Sequence, residues 1–110
     1  MAGIQRLAVV DDAIGTSFGA GIEAFVATGS YFLSVIATNT TATDAEIYVY
    51  SVPFGTSGDP DLWALVAYKL PLPAYNSYET FRFGVNNTDS VYVAGSAGVR
   101  YFVQGIEQIG

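Results

Sequence analysis

The 110-residue chain carries 4 Lys and Arg against 10 Asp and Glu, a net charge of −6, and 13% of its residues are charged, about half the share in ordinary soluble domains. It has neither Cys nor His, which excludes disulfide scaffolds, thiolate and imidazole metal centres, and thiol- or histidine-based catalysis. The acidic balance excludes an electrostatic grip on nucleic acid. A single domain of this size buries roughly two thirds of the surface its unfolded chain exposes, so a chain this poor in charge is expected to leave apolar surface for a partner to cover.

Taken in chain order, Ile4 to Val10 predicts an extra strand at a sheet edge, and residues 1–21 as a whole read as a less regular N-terminal arm or edge strand. Asp11 and Asp12 break the apolar run after Arg6 before the core of a signal peptide could form, so synthesis and folding in the cytosol are expected. Between Ala13 and Ala24, Gly15, Gly19 and Gly21 argue against a helix at about 1 kcal/mol each. That stretch reads as irregular and leads into a strand at about 22–28. Tyr31 to Thr38 is a β-branched and aromatic strand ending in Asn39-Thr40-Thr41. Ile47, Val49 and Ser51 then alternate with Tyr48, Tyr50 and Val52 before Pro53. The segment from Pro53 to Asp61 holds glycines and prolines and predicts an exposed loop.

Leu62 to Leu70 is almost continuously apolar and predicts a strand covered on both faces. Its longest uninterrupted run, Leu62 to Tyr68, falls far short of the roughly 20 residues a helix needs to span a bilayer. Phe81 and Phe83 alternate with Thr80 and Arg82. Val91 and Val93, then Val99, Tyr101 and Val103, flank Gly95-Ser96-Ala97-Gly98, which reads as a hairpin turn. The sequons at Asn39 and Asn86 read as turns. Alternation over short runs, with turn residues between them, is the strand signature. The expected fold is all-β: one domain over residues 1–110, a single antiparallel β-sandwich of seven or eight strands, Ig-like or jelly-roll.

Little in this chain suggests chemistry. Asp11-Asp12 and the pair Asp59 and Asp61 around Pro60 are the paired carboxylates. Neighbouring strand residues face opposite ways, and the spacing of a calcium loop is absent, so these acids read as solvated turn residues. Lys69, the single lysine, sits at the end of its run before Leu70-Pro71 and is expected at the surface. No G-x-S-x-G elbow occurs. No catalytic, cofactor-binding or metal-binding residue is assigned, and no cofactor is expected. The aromatic side chains offer more. Tyr48 and Tyr50 share a strand face, Trp63 is near in sequence, and Phe54 tips the long loop. Such side chains pack within sandwiches or between subunits, and exposed ones can also stack sugars. The candidate interface residues are Phe18, Ile22, Phe54, Trp63, Tyr48 and Tyr50, with Phe18 and Phe54 expected to be substantially buried only in an assembly.

A set of landmarks from about Tyr31 to Glu107 carries a family resemblance. They are the strand ending in Thr38-Asn39-Thr40, the strand ending in Val52-Pro53, a Gly/Ser loop, and then Ala67-Tyr68-Lys69-Leu70-Pro71-Leu72. Asn76-Ser77-Tyr78-Glu79-Thr80-Phe81, Asp89-Ser90-Val91-Tyr92-Val93 and Val99-Arg100-Tyr101-Phe102-Val103-Gln104-Gly105 follow. In order and spacing the chain resembles the short β-sandwich virion proteins of tailed bacteriophages. The resemblance implies a structural role without catalysis, as capsid decoration or cement, or as a neck, tail, baseplate or fibre subunit. It implies homo-oligomers, trimers favoured, that contact the major capsid protein or tail and neck proteins; the acidic balance and the short apolar run add the expectation of no nucleic-acid or membrane partner. The implied location is the virion, assembled in the host cytoplasm. A host-glycan-binding module is a further alternative, motivated by the aromatic strand face and the long polar loop.

Overall fold

The computed structural model describes residues 4–11 and 21–108; Phe18 lies outside them. Nine strands are described: β1 (Gln5–Asp11), β2 (Ile22–Val26), β3 (Ser30–Asn39), β4 (Ala45–Val52), β5 (Ala64–Leu72), β6 (Ser77–Glu79), β7 (Phe83–Val85), β8 (Ser90–Gly95) and β9 (Val99–Gln108). They form two antiparallel sheets. The first has the order β1-β9-β3-β6, with β7 also on β3, and the second has the order β2-β8-β4-β5. Apart from the β4–β5 hairpin and the β6–β7 pair on one edge, consecutive strands lie in opposite sheets. With β6 and β7 counted as one edge strand, these are two four-stranded sheets of eight strands in all, the organisation of a jelly roll.

The alternation seen in the sequence becomes the division between inner and outer faces. Leu33, Val35 and Ala37 of β3, Ile47 and Val49 of β4, and Val91 and Val93 of β8 point inward and are essentially inaccessible. Tyr101 and Val103 of β9 join them. β-branched residues fill this layer because their stiff side chains pack well on a pleated surface.

The ninth strand arises because one edge strand is interrupted. β6 pairs with Ile36–Thr38 and β7 pairs with Tyr31–Leu33. Between them Thr80 turns inward and is buried. Its amide donates to the Val35 carbonyl at 2.9 Å, and its hydroxyl accepts from the Val35 amide at 3.0 Å. Phe81 is left 60% exposed. The regular alternation expected over Thr80 to Phe83 therefore breaks, since one hydroxyl replaces a ladder carbonyl.

Two further expectations are corrected. Leu62 to Leu70 is not covered on both faces: β5 is the edge of the second sheet, and Leu65 and Tyr68 are exposed. Its ladder on β4 is bulged, and Lys69 adopts φ 47° and faces solvent, as expected of it. Gly95 to Gly98 does not close a hairpin, because β8 belongs to the second sheet and β9 to the first. Gly95 has φ 154°, and a Cβ there would collide with the Glu46 carbonyl and the Tyr101 hydroxyl. The Tyr101 hydroxyl donates to the Ala94 carbonyl at 2.6 Å, which ties the crossover down.

Asn39, a turn residue in the sequence, is 1% exposed. Its amide nitrogen donates to the carbonyls of Thr43 at 2.8 Å and Leu72 at 3.1 Å. Its amide oxygen accepts from the Thr41 amide and hydroxyl at 3.0 and 2.7 Å. One buried side chain thus joins the β3–β4 and β5–β6 crossovers.

Candidate interaction surface

The outer face of the first sheet is built from the residues that alternate with the core. Cross-strand register arranges them in bands. Asp11, Arg100 and Thr38 form a polar row, with Arg100 Nε 2.6 Å from Asp11 Oδ1. Val9, Phe102 and Ile36 form the next row, ending at Glu79. Arg6, Gln104 and Ser34 follow. The Arg6 guanidinium lies 5.3 Å from the centre of the Phe102 ring. Ser34 donates to Glu79 at 2.8 Å, and Gln104 donates to the same carboxylate oxygen at 3.0 Å. The last row pairs Phe32 with Ile106. Ile4, Phe32, Ser34, Arg82, Gln104 and Ile106 contribute to the walls of a shallow depression here. Val9 and Phe32 are each about half exposed, at 48% and 49%. The result is apolar bands interleaved with a hydrogen-bonded polar band.

The outer face of the second sheet is organised differently. Tyr48, Tyr50 and Val52 of β4 point outward but are fully or almost fully buried. The Tyr50 ring meets Trp63 at 5.2 Å, Trp63 meets Tyr92 at 5.0 Å, and Tyr48 meets Tyr68 at 5.4 Å. Trp63 Nε1 donates to the Thr56 carbonyl at 2.7 Å, fixing the long loop against this cluster. Tyr48, Tyr50 and Trp63, expected at an interface, are thus already packed inside the chain, because a ring buried by its neighbours has no surface left to offer. Of the aromatic face that motivated a glycan-binding reading, Tyr48 and Tyr50 are buried while Tyr68 stays 42% exposed.

Ile22 opens edge strand β2 and is 46% exposed. Phe54 is 74% exposed at the loop tip, not folded back on the sandwich rim. Its amide donates to Asp89 Oδ1 at 2.9 Å, so the loop is anchored while the ring projects. Phe54 stands at the wall of a groove of about 380 Å³ whose lining includes Glu23, Val26, Val52, Ser90 and Tyr92. Ser90 donates to Glu23 at 2.9 Å. Ile22 and Phe54 therefore keep exposed surface, on the second sheet and its loop.

The outer face of the first sheet was not assigned from the sequence. The available signal was that Phe32, Ile36, Phe102 and Ile106 put apolar groups in the outward phase of β3 and β9, the two central strands. An apolar outward phase that no described residue covers offers a surface to a partner.

No protein-family model matches the chain, and no curated protein matches it. Among solved structures, that of the infectious bursal disease virus Gx strain aligns with a TM-score of 0.54 at 13% identity, over 96% of this chain and 32% of the viral one. The T13 viral particle of the same virus gives 0.53 at 12% identity, over 96% and 31%. The likeness is one of fold: an antiparallel β-sandwich. The chain spans about a third of the length of these viral chains.

Proposed function

We propose that this protein is a non-enzymatic subunit of a viral particle, built in through its own β-sandwich surfaces. The observation that carries the reading is the exposed, apolar-banded outer face of the first sheet, in a chain with 13% charged residues. The jelly-roll strand order and the likeness in fold to viral particle structures support it. Obligate interfaces are larger and more apolar than transient ones, which is what such a face supplies. Within that role the landmarks between Tyr31 and Glu107 favour a decoration or cement protein of a tailed bacteriophage capsid. It would form homotrimers seated on the major capsid protein and add stability to the shell by mass action.

The test is the copy number of the chain in purified particles by quantitative mass spectrometry. Hundreds of copies per particle are expected of a capsid protein. A few to some tens would move the protein to the neck, tail, baseplate or fibre. Absence from the particle would overturn the virion reading.

A further inference from the structure

The few charges are distributed unevenly between the two sheets. Three of the four cationic side chains, Arg6, Arg82 and Arg100, lie on the outer face of the first sheet or at its edge; the fourth, Lys69, is on β5. Among the described residues the acids of this sheet are Asp11, paired with Arg100, Glu79, hydrogen-bonded to Ser34 and Gln104, and Glu107 on the opposite phase of β9, so Arg6 and Arg82 are the cations this face offers to a partner. The acids of the second sheet and its loops include Glu23, Asp59, Asp61 and Asp89. Asp59 and Asp61 are exposed on the same anchored loop that projects Phe54, and Glu23 lines the groove beside it. The chain therefore presents an apolar-banded face bearing guanidinium groups and, on its other sheet, a groove lined by Glu23 beside a loop that carries Phe54, Asp59 and Asp61.

From this complementarity we infer that copies of the chain associate head to tail, the first-sheet outer face of one copy receiving the Phe54 loop and groove of the next. The inference rests on the self-association proposed above and adds which surface meets which. Apolar bands against Phe54 and Val26 supply the burial. Arg82 and Arg6 against Asp59 and Asp61 fix orientation and disfavour a face-to-face pairing that would set these guanidinium groups against one another, the role charge plays best at interfaces. Contact between unlike patches closes into a ring when its rotation permits, and otherwise continues as a filament. A closed ring of three satisfies the trimer.

The experiment is charge reversal followed by mixing. Arg82→Glu and the double substitution Asp59→Lys with Asp61→Lys alter exposed side chains, and unchanged circular dichroism and melting confirm that each variant folds. Light scattering after size exclusion should find the wild type oligomeric and each variant's self-association weakened at least tenfold. A variant carrying all three reversals should recover the oligomer, since both halves of the contact are then inverted together. A wild type that assembles, with reversals that leave it intact or a triple variant that fails to recover, overturns the head-to-tail contact while leaving self-association standing. A wild type that stays monomeric throughout overturns both.

Discussion

Asn39 and Tyr101 show how single polar atoms hold the crossovers between the sheets. Asn39 satisfies groups in two connections with one buried amide. Replacing it with Ala leaves several of those groups unpaired, at a cost of about 2–3 kcal/mol, read as a lower urea midpoint with unchanged slope. Asn39→Asp cannot donate to the Thr43 and Leu72 carbonyls and is expected to cost as much. Tyr101 is pushed well above its ordinary range by burial alone. A phenol that keeps its proton in the folded state and loses it in the unfolded state makes stability independent of its titration below about pH 10, then lowers stability as pH rises further. Tyr101→Phe is expected to cost about 1 kcal/mol at neutral pH through the lost bond to Ala94. It should also flatten the alkaline fall, which urea midpoints between pH 8 and 11 would show. The sequence marked Asn39 as a turn residue and grouped Tyr101 with Val99 and Val103 in one strand. It could not show that Leu72, 33 positions away, comes to Asn39, or that residue 94 accepts from residue 101 across a change of sheet. Those partners are set by tertiary contact.

At the scale of elements, the β6–β7 edge is kept from pairing outward by its own break. An unbroken edge strand invites indiscriminate addition of further strands. Thr80 prevents a continuous edge while still satisfying Val35. Thr80→Val keeps the shape but strands the buried Val35 amide, with an expected loss of about 1–2 kcal/mol and faster hydrogen exchange at Val35 relative to Ala37. Strand existence was largely legible, since period-two runs mark β3, β4, β8 and β9 and β1 was foreseen at an edge, whereas β6 was not read as a strand of its own. Sheet membership was not. Gly95-Ser96-Ala97-Gly98 has the residues of a hairpin turn, yet Gly95 is required there because the Glu46 carbonyl and Tyr101 hydroxyl occupy the space a Cβ would need. Likewise the apolar run in β5 reads as doubly buried, while the strand buried on both faces is β4, with Ile47 and Val49 in the core and Tyr48 and Tyr50 in the outer aromatic cluster.

For the whole molecule, the shortage of charge resolves into a particular place. The residues first chosen for an interface, Tyr48, Tyr50 and Trp63, complete a buried cluster, whereas Phe32, Val9 and Phe54 remain exposed. Which aromatic residues stay outside depends on how the two sheets cover one another, and a sequence pattern carries only their phase. Phe32→Ser on the exposed face is expected to change folding stability by about 0.5 kcal/mol or less. The same substitution should weaken assembly at least tenfold, a loss of about 1.4 kcal/mol or more per contact, with melting and concentration-dependent light scattering separating the two effects.

The central claim, that this face is covered by assembly, is tested most directly by sedimentation equilibrium of the wild-type protein across the micromolar range. The account predicts a closed oligomer, with three times the 11.7 kDa chain mass as the favoured species, dissociating on dilution. A single 11.7 kDa species at every concentration would contradict it.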